Sequence, residues 1–408
     1  MGNRWGLITV TVLLAGTVVL TGSVLVLRIF YAWGLSLALG IFWVAFTSRG
    51  ISLSTTPLPD RAQVGTCLRQ QVTISAKGFL PKPGLKLQAA GDLPGEHLST
   101  AVDLPGGRTF LWQADYSLER RGRYHLGSFR LQSIDPLGLF RREIAIGSAS
   151  EILIHPLTVP LPPFSLPGLN GSGLSKRMPE SLSASASNIR EYTSGDSMRH
   201  IHWRSTAHTG RYMVKVFDAD RSRHRPENFW VILDMGNGHS GRGNDSTTEY
   251  AVTMAASLAR EYISHGYNFG MLSLGVEPVV FPLGSGQDHL TEVLDFLATL
   301  NSGDSFSFNE RLARHQGLFG SNSTVIIITA SPASSLTESY HQLSSRGCAV
   351  AYFLIDGADF GGSSPAAAGR SLTLLGAPVY LLRRAETFKQ SLDKAANAIL
   401  WLDGVSRS

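Results

Sequence analysis

The residues of this chain that could carry out chemistry are concentrated between positions 188 and 217, in the stretch NIREYTSGDSMRHIHWRSTAHTGRYMVKVF. This stretch holds five Lys or Arg, three His, two acids, one Trp and two Tyr, whereas only 16% of the whole chain is charged. A hydrolase could use His202 or His200 as its general base, with Asp196 as the acid that orients it. Against this hypothesis, no Ser or Cys stands in a recognisable nucleophile setting.

The same stretch allows two binding hypotheses. His200, His202 and His208 could bind zinc through their imidazole nitrogens, but their spacing matches no standard zinc-finger pattern. In a nucleic-acid interface, basic side chains would meet phosphates and aromatic rings would stack on bases. The candidate residues for that interface are Arg199, Arg204, Arg211, Lys215, Tyr192 and Trp203. Because the stretch belongs to no known reader motif, we expect no nucleic-acid partner.

Two further interpretations need no reaction. Gly195 and Asp196 suit a tight turn, and the carboxylates of Asp196 and Glu191 could hold arginines in charge-assisted hydrogen bonds. Trp203 would then anchor the ordered stretch against a sheet. The arginines concerned are Arg190, Arg199 and Arg204. An ordered, charged stretch of this kind could equally be a docking surface for a partner protein.

The composition limits the class of protein without choosing a function. With 408 residues, 43% of them hydrophobic, and 42 Gly, the chain is long enough for two or three globular domains that contain β-structure. Cys67 and Cys348 lie far apart and in no metal-binding spacing, so neither a disulfide framework nor a zinc site is indicated. A net charge of +5 favours anionic partners, which include both nucleic acid and anionic lipid.

Two uncharged stretches at the N-terminus, Gly6 to Leu27 and Ile29 to Ser48, are each about the ~20 residues that a membrane-spanning helix needs. They predict a two-helix transmembrane hairpin over residues 1–50, with its turn at Arg28 and membrane lipid as its partner. The flanking basic residues are Arg4, Arg49, Arg61 and Arg69. By the positive-inside rule they favour a multi-pass protein of the cell (inner) membrane, with its soluble domains in the cytoplasm.

The soluble part begins with short alternating segments over 51–160, which predict an antiparallel β-sandwich. Within it, Asp135 and Pro136 predict a turn after a strand. Residues 161–187 are rich in Pro, Ser and Gly and predict a linker or a long surface loop. Residues 188–227, which contain the polar stretch described above, form the signature segment.

From residue 228 to 408, continuous apolar strands alternate with amphipathic helices. This pattern predicts a doubly wound α/β domain with a mainly parallel sheet. One predicted helix carries Ala251, Ala255, Leu258, Ala259 and Tyr262 on a single face. In such a sheet a ligand is expected at the carboxyl ends of the strands, where Asp234 and Thr329 would lie.

The signature segment resembles that of the bacterial family called domain of unknown function 58. The family pattern runs Arg-x-Tyr, Gly-Asp, Arg-x-Ile-x-Trp, a small-residue pair, a basic residue and an apolar strand. In this chain it falls on Arg190, Tyr192, Gly195, Asp196, Arg199, Ile201, Trp203, Ala207 and Val214. His208 stands where family members usually carry Arg. The resemblance extends to the membrane hairpin, to RRGRYHLG and DPLGLF, and to the later α/β part, so it covers nearly the whole chain.

The resemblance implies that residues 228–408 form a von Willebrand factor A-like domain. In metal-binding A domains, a D-x-S-x-S loop, a Thr and an Asp hold magnesium through oxygen atoms. Asp234 and Thr329 match that pattern, but Gly236, Gly238 and Ala330 replace the other ligands. Because a hard cation needs several oxygen ligands, we expect a degenerate site, with no metal and no cofactor.

The resemblance also implies a partnership with a MoxR-type AAA+ ATPase and a role in assembling or maturing other proteins. No enzymatic activity is established for that family. We therefore expect a membrane-anchored, non-enzymatic scaffold or assembly factor that presents a protein client to such an ATPase. The docking residues expected in the signature segment are Arg190, Tyr192, Gly195, Asp196, Arg199, Trp203, Arg204 and His208. A hydrolase built on Asp196 and a neighbouring His is the alternative.

Overall fold

Two compact units, Met1–His155 and Pro156–Ser408, divide the chain. The computed structural model describes residues 2–384 and 390, apart from the following gaps: 79–80, 95–97, 162–185, 194–197, 199–200, 218–227, 237, 276, 304–306, 322 and 333–335. The predicted linker over 161–187 therefore lies almost wholly outside the described residues.

Two apolar helices open the first unit: α1 (Gly2–Thr21) and α2 (Val24–Thr47). The Trp33 indole N–H donates to the Thr11 hydroxyl at 3.0 Å, so the two helices contact each other. By length and hydropathy, α2 could cross a membrane, whereas the apolar part of α1, Trp5–Thr21, is shorter. The predicted turn at Arg28 is wrong, because Arg28 lies inside α2. The break falls at Gly22, whose φ of 59° ends α1 in a conformation that glycine adopts without steric cost.

A β-rich domain follows the helices. Its strands are β1 (Ile51–Thr55), β2 (Arg61–Gln63), β3 (Cys67–Ala76), β4 (Lys82–Ala89), β5 (Ser99–Leu104), β6 (Thr109–Ser117), β7 (Gly122–Leu126), β8 (Phe129–Ile134), β9 (Arg141–Ile146) and β10 (Ser150–His155). They form three sheets, in the orders β1-β3-β6, β2-β10-β7 and β5-β4-β8-β9. Alternate residues such as Val72 and Ile74 of β3 are buried in one shared core, as the period of two requires. The predicted short strands are confirmed.

The end of α2 packs on this β-rich domain. The Thr47 hydroxyl is buried and lies 2.6 Å from the Ser133 hydroxyl of β8. A Cβ at Gly40 would lie 2.8 Å from a ring carbon of Phe140, so any other residue would force this ring to shift. The predicted Asp-Pro turn is confirmed. The buried Asp135 carboxylate accepts hydrogen bonds from the backbone N–H groups of Leu137 at 3.1 Å and Phe140 at 2.6 Å.

The second unit contains the signature segment and an α/β domain. Its elements are β11 (Ala186–Glu191), α3 (Trp203–Thr209), β12 (Met213–Phe217), β13 (Asn228–Asp234), β14 (Gly241–Arg242), β15 (Asp245–Ser246), α4 (Thr247–Ser264), β16 (Asn268–Leu274), β17 (Val279–Gly284), α5 (Gln287–Thr299), α6 (Phe308–His315), β18 (Ser323–Thr329), α7 (Leu336–Ser344), β19 (Ala349–Ile355), α8 (Ala366–Leu374) and β20 (Val379–Leu382). Single 3₁₀ turns occupy Gln316–Leu318 and Gly357–Phe360.

The main sheet of the second unit has the order β17-β16-β13-β18-β19-β20. Every neighbouring pair is parallel except β16 with β17. Helices α4 and α5 cover one face, and α6, α7 and α8 cover the other. The predicted apolar face of α4 is confirmed, since all five of its residues are buried. The sequence reading missed the antiparallel strand β17, which contains Pro282 and lies at the sheet edge, where a missing N–H is tolerated.

Candidate functional site

The carboxyl ends of β13 and β18 form the place where an open parallel sheet is expected to bind a ligand. From β13 the chain continues to β16 on one side, whereas β18 and β19 lie on the other side. A crevice therefore opens between β13 and β18. Asp234 is the last residue of β13 and Thr329 is the last residue of β18. The prediction that these two residues share this edge is confirmed.

Asp234 is held by hydrogen bonds on both carboxylate oxygens. Its Oδ2 accepts from the Thr329 hydroxyl at 2.6 Å, and its Oδ1 accepts from the Gly236 backbone N–H at 3.1 Å. Burial raises the pKa of Asp234, and these two hydrogen bonds and the nearby His239 oppose that rise. The carboxylate is thus turned inward to the protein.

His239 closes the edge beside Asp234. Its Nε2 lies 2.7 Å from the backbone carbonyl oxygen of Asp234, and its Nδ1 lies 3.0 Å from the hydroxyl of Thr247. A proton on Nε2 lets the ring donate to that carbonyl while Nδ1 accepts from Thr247. Burial lowers the pKa of His239, which favours this neutral ring. The sequence analysis missed both His239 and Thr247, because a single His in a Gly-rich loop has no distinctive pattern.

The side chains at this edge of the sheet do not provide the oxygen ligands of the magnesium site that the resemblance to A domains implies. Asp234 and Thr329 bond to each other, and Gly236 and Gly238 offer no side-chain oxygen. A Cβ at Gly238 would lie 2.9 Å from the backbone N and Cα of Ser331, so the backbone has no room for a serine there. Among the described residues, no group of three or more His, Cys, Asp or Glu could hold a metal. One carboxylate with one hydroxyl is too few ligands for a hard cation.

We expect the second unit to lose stability in mild acid through His239. Burial holds the folded-state pKa of His239 below its ordinary value of 6.5. The folded state then binds the proton less readily than the unfolded state, so this contribution is full above pH 6.5 and is lost as the pH falls through that value. His239→Gln keeps a donor for the Asp234 carbonyl without a titrating ring, and should show a smaller drop in unfolding midpoint between pH 8 and pH 5.

The measurement is thermal unfolding of the full chain in detergent, with amide hydrogen exchange in β13 to assign the transition. His341→Gln removes an exposed His of α7 and should leave the acid response unchanged. Asp234 has the opposite effect on the stability of the second unit. Because burial raises its pKa in the folded state, its contribution to stability is lost as the pH rises. Equal acid responses in the wild-type chain and His239→Gln would contradict the prediction.

The signature segment is built on a two-stranded ribbon. Strands β11 and β12 are antiparallel, and the Tyr192 N–H extends the pairing by donating to the Tyr212 carbonyl at 2.8 Å. Helix α3 begins after His202, whose Nδ1 accepts from the Ser205 N–H at 3.2 Å and lies 2.7 Å from its hydroxyl. The helix ends at Gly210, which has a φ of 70°. His202 thus serves as a helix N-cap.

The structure places the predicted residues of the signature segment as follows. Trp203, Arg204 and His208 are exposed on α3, and Arg211 forms an exposed ion pair with Glu191 at 3.4 Å. Arg190 lies in β11. The following lie outside the described residues: Gly195, Asp196, Arg199 and His200.

The interpretation of Trp203 as a buried anchor is wrong, because its side chain is 66% exposed. The buried residues here are Ile201 and Val214, which face each other in a β-bridge and are 5% and 4% exposed. Trp203 follows the cap residue His202 as the first residue of α3, and that position turns its indole towards solvent. The signature segment therefore presents an aromatic side chain on a surface that also carries Arg204 and Arg211.

The fold is mixed α/β with several sheets, and within the described part of the chain one helix, near the N-terminus, is long and apolar enough to cross a membrane. Residues 188–343, which include α3 and the edge of the sheet at Asp234, match the family described as Protein of unknown function DUF58. The predicted resemblance is confirmed over that part of the chain. A relative from Bacillus subtilis (strain 168), the Uncharacterized protein YeaD, is 25% identical over 256 residues. That match covers 59% of this chain and 60% of YeaD, less than two-thirds of its length.

Two solved structures show remote likenesses to parts of this chain. The CARDB domain of a Pyrococcus furiosus protein, determined by solution NMR, is 11% identical and has a TM-score of 0.20, covering 26% of this chain and 94% of that domain. A beta-glucosidase from Listeria innocua is 13% identical with a TM-score of 0.19, covering 26% of this chain and 16% of the enzyme. At such TM-scores the likeness carries no argument about this chain.

Proposed function

We propose that this chain is a membrane-anchored, non-enzymatic scaffold or assembly factor that works with a MoxR-type AAA+ ATPase on a protein client. The signature segment is its docking surface for the ATPase. Helices α1 and α2 form the anchor in the cell membrane, the β-rich domain is a β-sandwich, and the α/β domain is von Willebrand factor A-like and lies in the cytoplasm.

The observation that carries this proposal is the exposure of Trp203. A large aromatic side chain that is 66% exposed on a helix, beside exposed Arg204, has the composition of a binding hot spot. Two more large side chains of the signature segment, Met198 and Tyr212, are 71% and 60% exposed. The ribbon of β11 and β12 and the cap at His202 hold α3 in shape, which limits the entropy lost on binding.

Two further observations support a binding role over a catalytic one. His202, a base in the hydrolase hypothesis, is engaged in capping α3. At the edge of the sheet, Asp234 and Thr329 bond to each other, and the His239 ring bridges the Asp234 carbonyl and Thr247. Side chains whose hydrogen-bonding groups are already paired with one another suit a rigid binding platform.

The test is capture of the ATPase from native membranes. We expect the full chain to retain a MoxR-type AAA+ ATPase, identified by mass spectrometry, and Trp203→Ala/Arg204→Ala to retain at least ten-fold less. A ten-fold loss corresponds to about 1.4 kcal/mol, which is less than truncation of a single hot-spot residue usually costs. Recovery of the ATPase by the variant at the wild-type level would contradict the docking role.

A matched control separates docking from loss of an exposed apolar side chain. Leu374 of α8 is 89% exposed and lies outside the signature segment, so Leu374→Ala should keep full capture. Amide exchange in β11 and β12 should be the same in both variants, because neither Trp203 nor Arg204 is buried. Failure of the wild-type chain itself to capture an AAA+ ATPase would contradict the proposed partnership.

A further inference from the structure

A cleft of about 430 Å³ opens where the last two turns of α2 meet the β-rich domain, within the first unit. One wall is aromatic: Phe42 and Phe46 stack with ring centroids 6.1 Å apart, and Phe42 is 66% exposed. The other wall is basic, formed by Arg49, Lys77 and Lys82. Apolar and cationic side chains therefore line the same cleft.

Lys82 is the most unusual of these groups. It is only 3% exposed, yet its ammonium lines the cleft. One of its three N–H donors binds the backbone carbonyl of Arg49, just beyond the end of α2, and the ammonium lies 6.0 Å from the Phe46 ring centroid. Burial lowers the pKa of Lys82. A buried ammonium with donors to spare calls for an anion or another acceptor.

The described residues that line the cleft give it an excess of positive charge. Within the part of the chain that the structure describes, no carboxylate forms an ion pair with Arg49, Lys77 or Lys82. The Arg49 and Lys77 side chains are exposed and free to turn into the cleft. Three cations around one small space create a positive potential that attracts an anion.

The position of the cleft along α2 indicates where that anion comes from. The helix has 24 residues, and about 20 residues cross the hydrocarbon core. Because Gly40 already contacts Phe140 of the β-rich domain, the part of α2 before Gly40 spans the core, which leaves Phe46 and Arg49 at the level of the lipid headgroups. Basic and aromatic side chains at that level meet phosphate groups and the upper part of the acyl chains.

We propose that this cleft binds the headgroup phosphate of an anionic phospholipid through Arg49, Lys77 and Lys82, with the lipid's acyl chains along Phe42 and Phe46. A zwitterionic lipid brings its own cation to the cleft and is bound less well. The inference rests on the membrane anchoring proposed above and is independent of the ATPase.

The test uses the full chain in nanodiscs that contain equal amounts of phosphatidylglycerol and phosphatidylcholine. After re-extraction in mild detergent, native mass spectrometry counts the lipids retained. We expect the wild-type chain to retain phosphatidylglycerol several-fold over phosphatidylcholine, and Arg49→Gln/Lys77→Gln to lose this preference. Both substitutions replace exposed side chains, so the fold should survive, whereas a change at buried Lys82 could unfold the domain.

Two controls make the result specific. Lys86→Gln/Arg108→Gln removes the same charge from exposed positions of the same domain and should keep the preference. Excess inorganic phosphate should not displace the lipid, since it lacks acyl chains; displacement would assign the cleft to free phosphate and overturn the lipid assignment. An unchanged preference in Arg49→Gln/Lys77→Gln, or none in the wild-type chain, would overturn it as well.

Alkaline carbonate extraction separates this inference from the proposed function. A chain that stays in the membrane but shows no lipid preference contradicts the cleft alone. A chain that carbonate removes contradicts the membrane anchor, and with it the lipid site. Capture of the ATPase depends on Trp203 and should be the same in Arg49→Gln/Lys77→Gln.

Discussion

Asp135→Ala is expected to lower the free energy of unfolding of the first unit by about 3 kcal/mol, because two hydrogen bonds to a charged group are lost at once. The carboxylate of Asp135 is 3% exposed and accepts from the backbone N–H groups of Leu137 and Phe140. Without it, these two donors lose their protein acceptor. Urea unfolding of the full chain in detergent measures the change, and amide exchange in β4 and β8 assigns it to the first unit.

Two variants test whether burial and geometry are responsible. Asp103 also accepts from a backbone N–H, that of Gly84 at 2.8 Å, but it is exposed. Asp103→Ala should therefore cost less than about 1 kcal/mol, as surface changes usually do. Asp135→Asn keeps one acceptor oxygen and should fall between the two. An Asp135→Ala chain as stable as the wild type would show that the turn is held by other contacts.

Gly238→Ala is expected to destabilise the second unit by about 1–3 kcal/mol, the usual cost of forcing extra atoms into a packed site. The added Cβ would lie 2.9 Å from backbone atoms of Ser331, which follows β18. Backbone cannot move aside as a flexible side chain can, so the loop after β13 or the loop after β18 must shift. Chemical unfolding with amide exchange in β13 and β18 measures the loss.

Gly275→Ala is the matched control, because Gly275 follows β16 at the same edge of the sheet. Its nearest neighbours would be 3.8 Å and 3.9 Å from the new Cβ, which is ordinary contact, and the stability should change by less than about 1 kcal/mol.

The same position tests the metal site. Gly238→Ser restores one hydroxyl of the D-x-S-x-S pattern, yet millimolar magnesium should raise the unfolding midpoint neither of this variant nor of the wild-type chain. Even with that hydroxyl, Asp234 and Thr329 would bring the site to one carboxylate and two hydroxyls, which is too few oxygen ligands for magnesium. A saturable stabilisation by magnesium in either chain would contradict the degenerate-site interpretation.

Sequence patterns were sufficient for the elements whose burial follows a simple period. The run STVIIIT predicts β18 because a strand buried on both faces is apolar throughout, and all of its residues are buried. The period of 3.6 residues identified the buried face of α4. From the strand pattern alone, Asp234 and Thr329 could be placed at one edge of the sheet.

The remaining features depend on neighbours that are distant in sequence. Whether Trp203 packs inward depends on the bridge between Ile201 and Val214, which no local pattern reveals. The break in the N-terminal helices was expected at the charged Arg28, but a positive φ at Gly22 decided it. His239 gains its partners only when the loop after β13 meets the start of α4.

The junction between α2 and the β-rich domain has a mechanical consequence. Thr47 is joined to Ser133, Lys82 caps the carbonyl of Arg49, and Gly40 lets the Phe140 ring lie directly on the helix. These three attachments between Gly40 and Arg49 hold the helix and the domain at a fixed angle to each other. If α2 tilts to match a thinner or thicker bilayer, the β-rich domain must tilt through the same angle. In a chain anchored as we propose, the thickness of the bilayer would therefore set the tilt of the β-rich domain relative to the membrane surface.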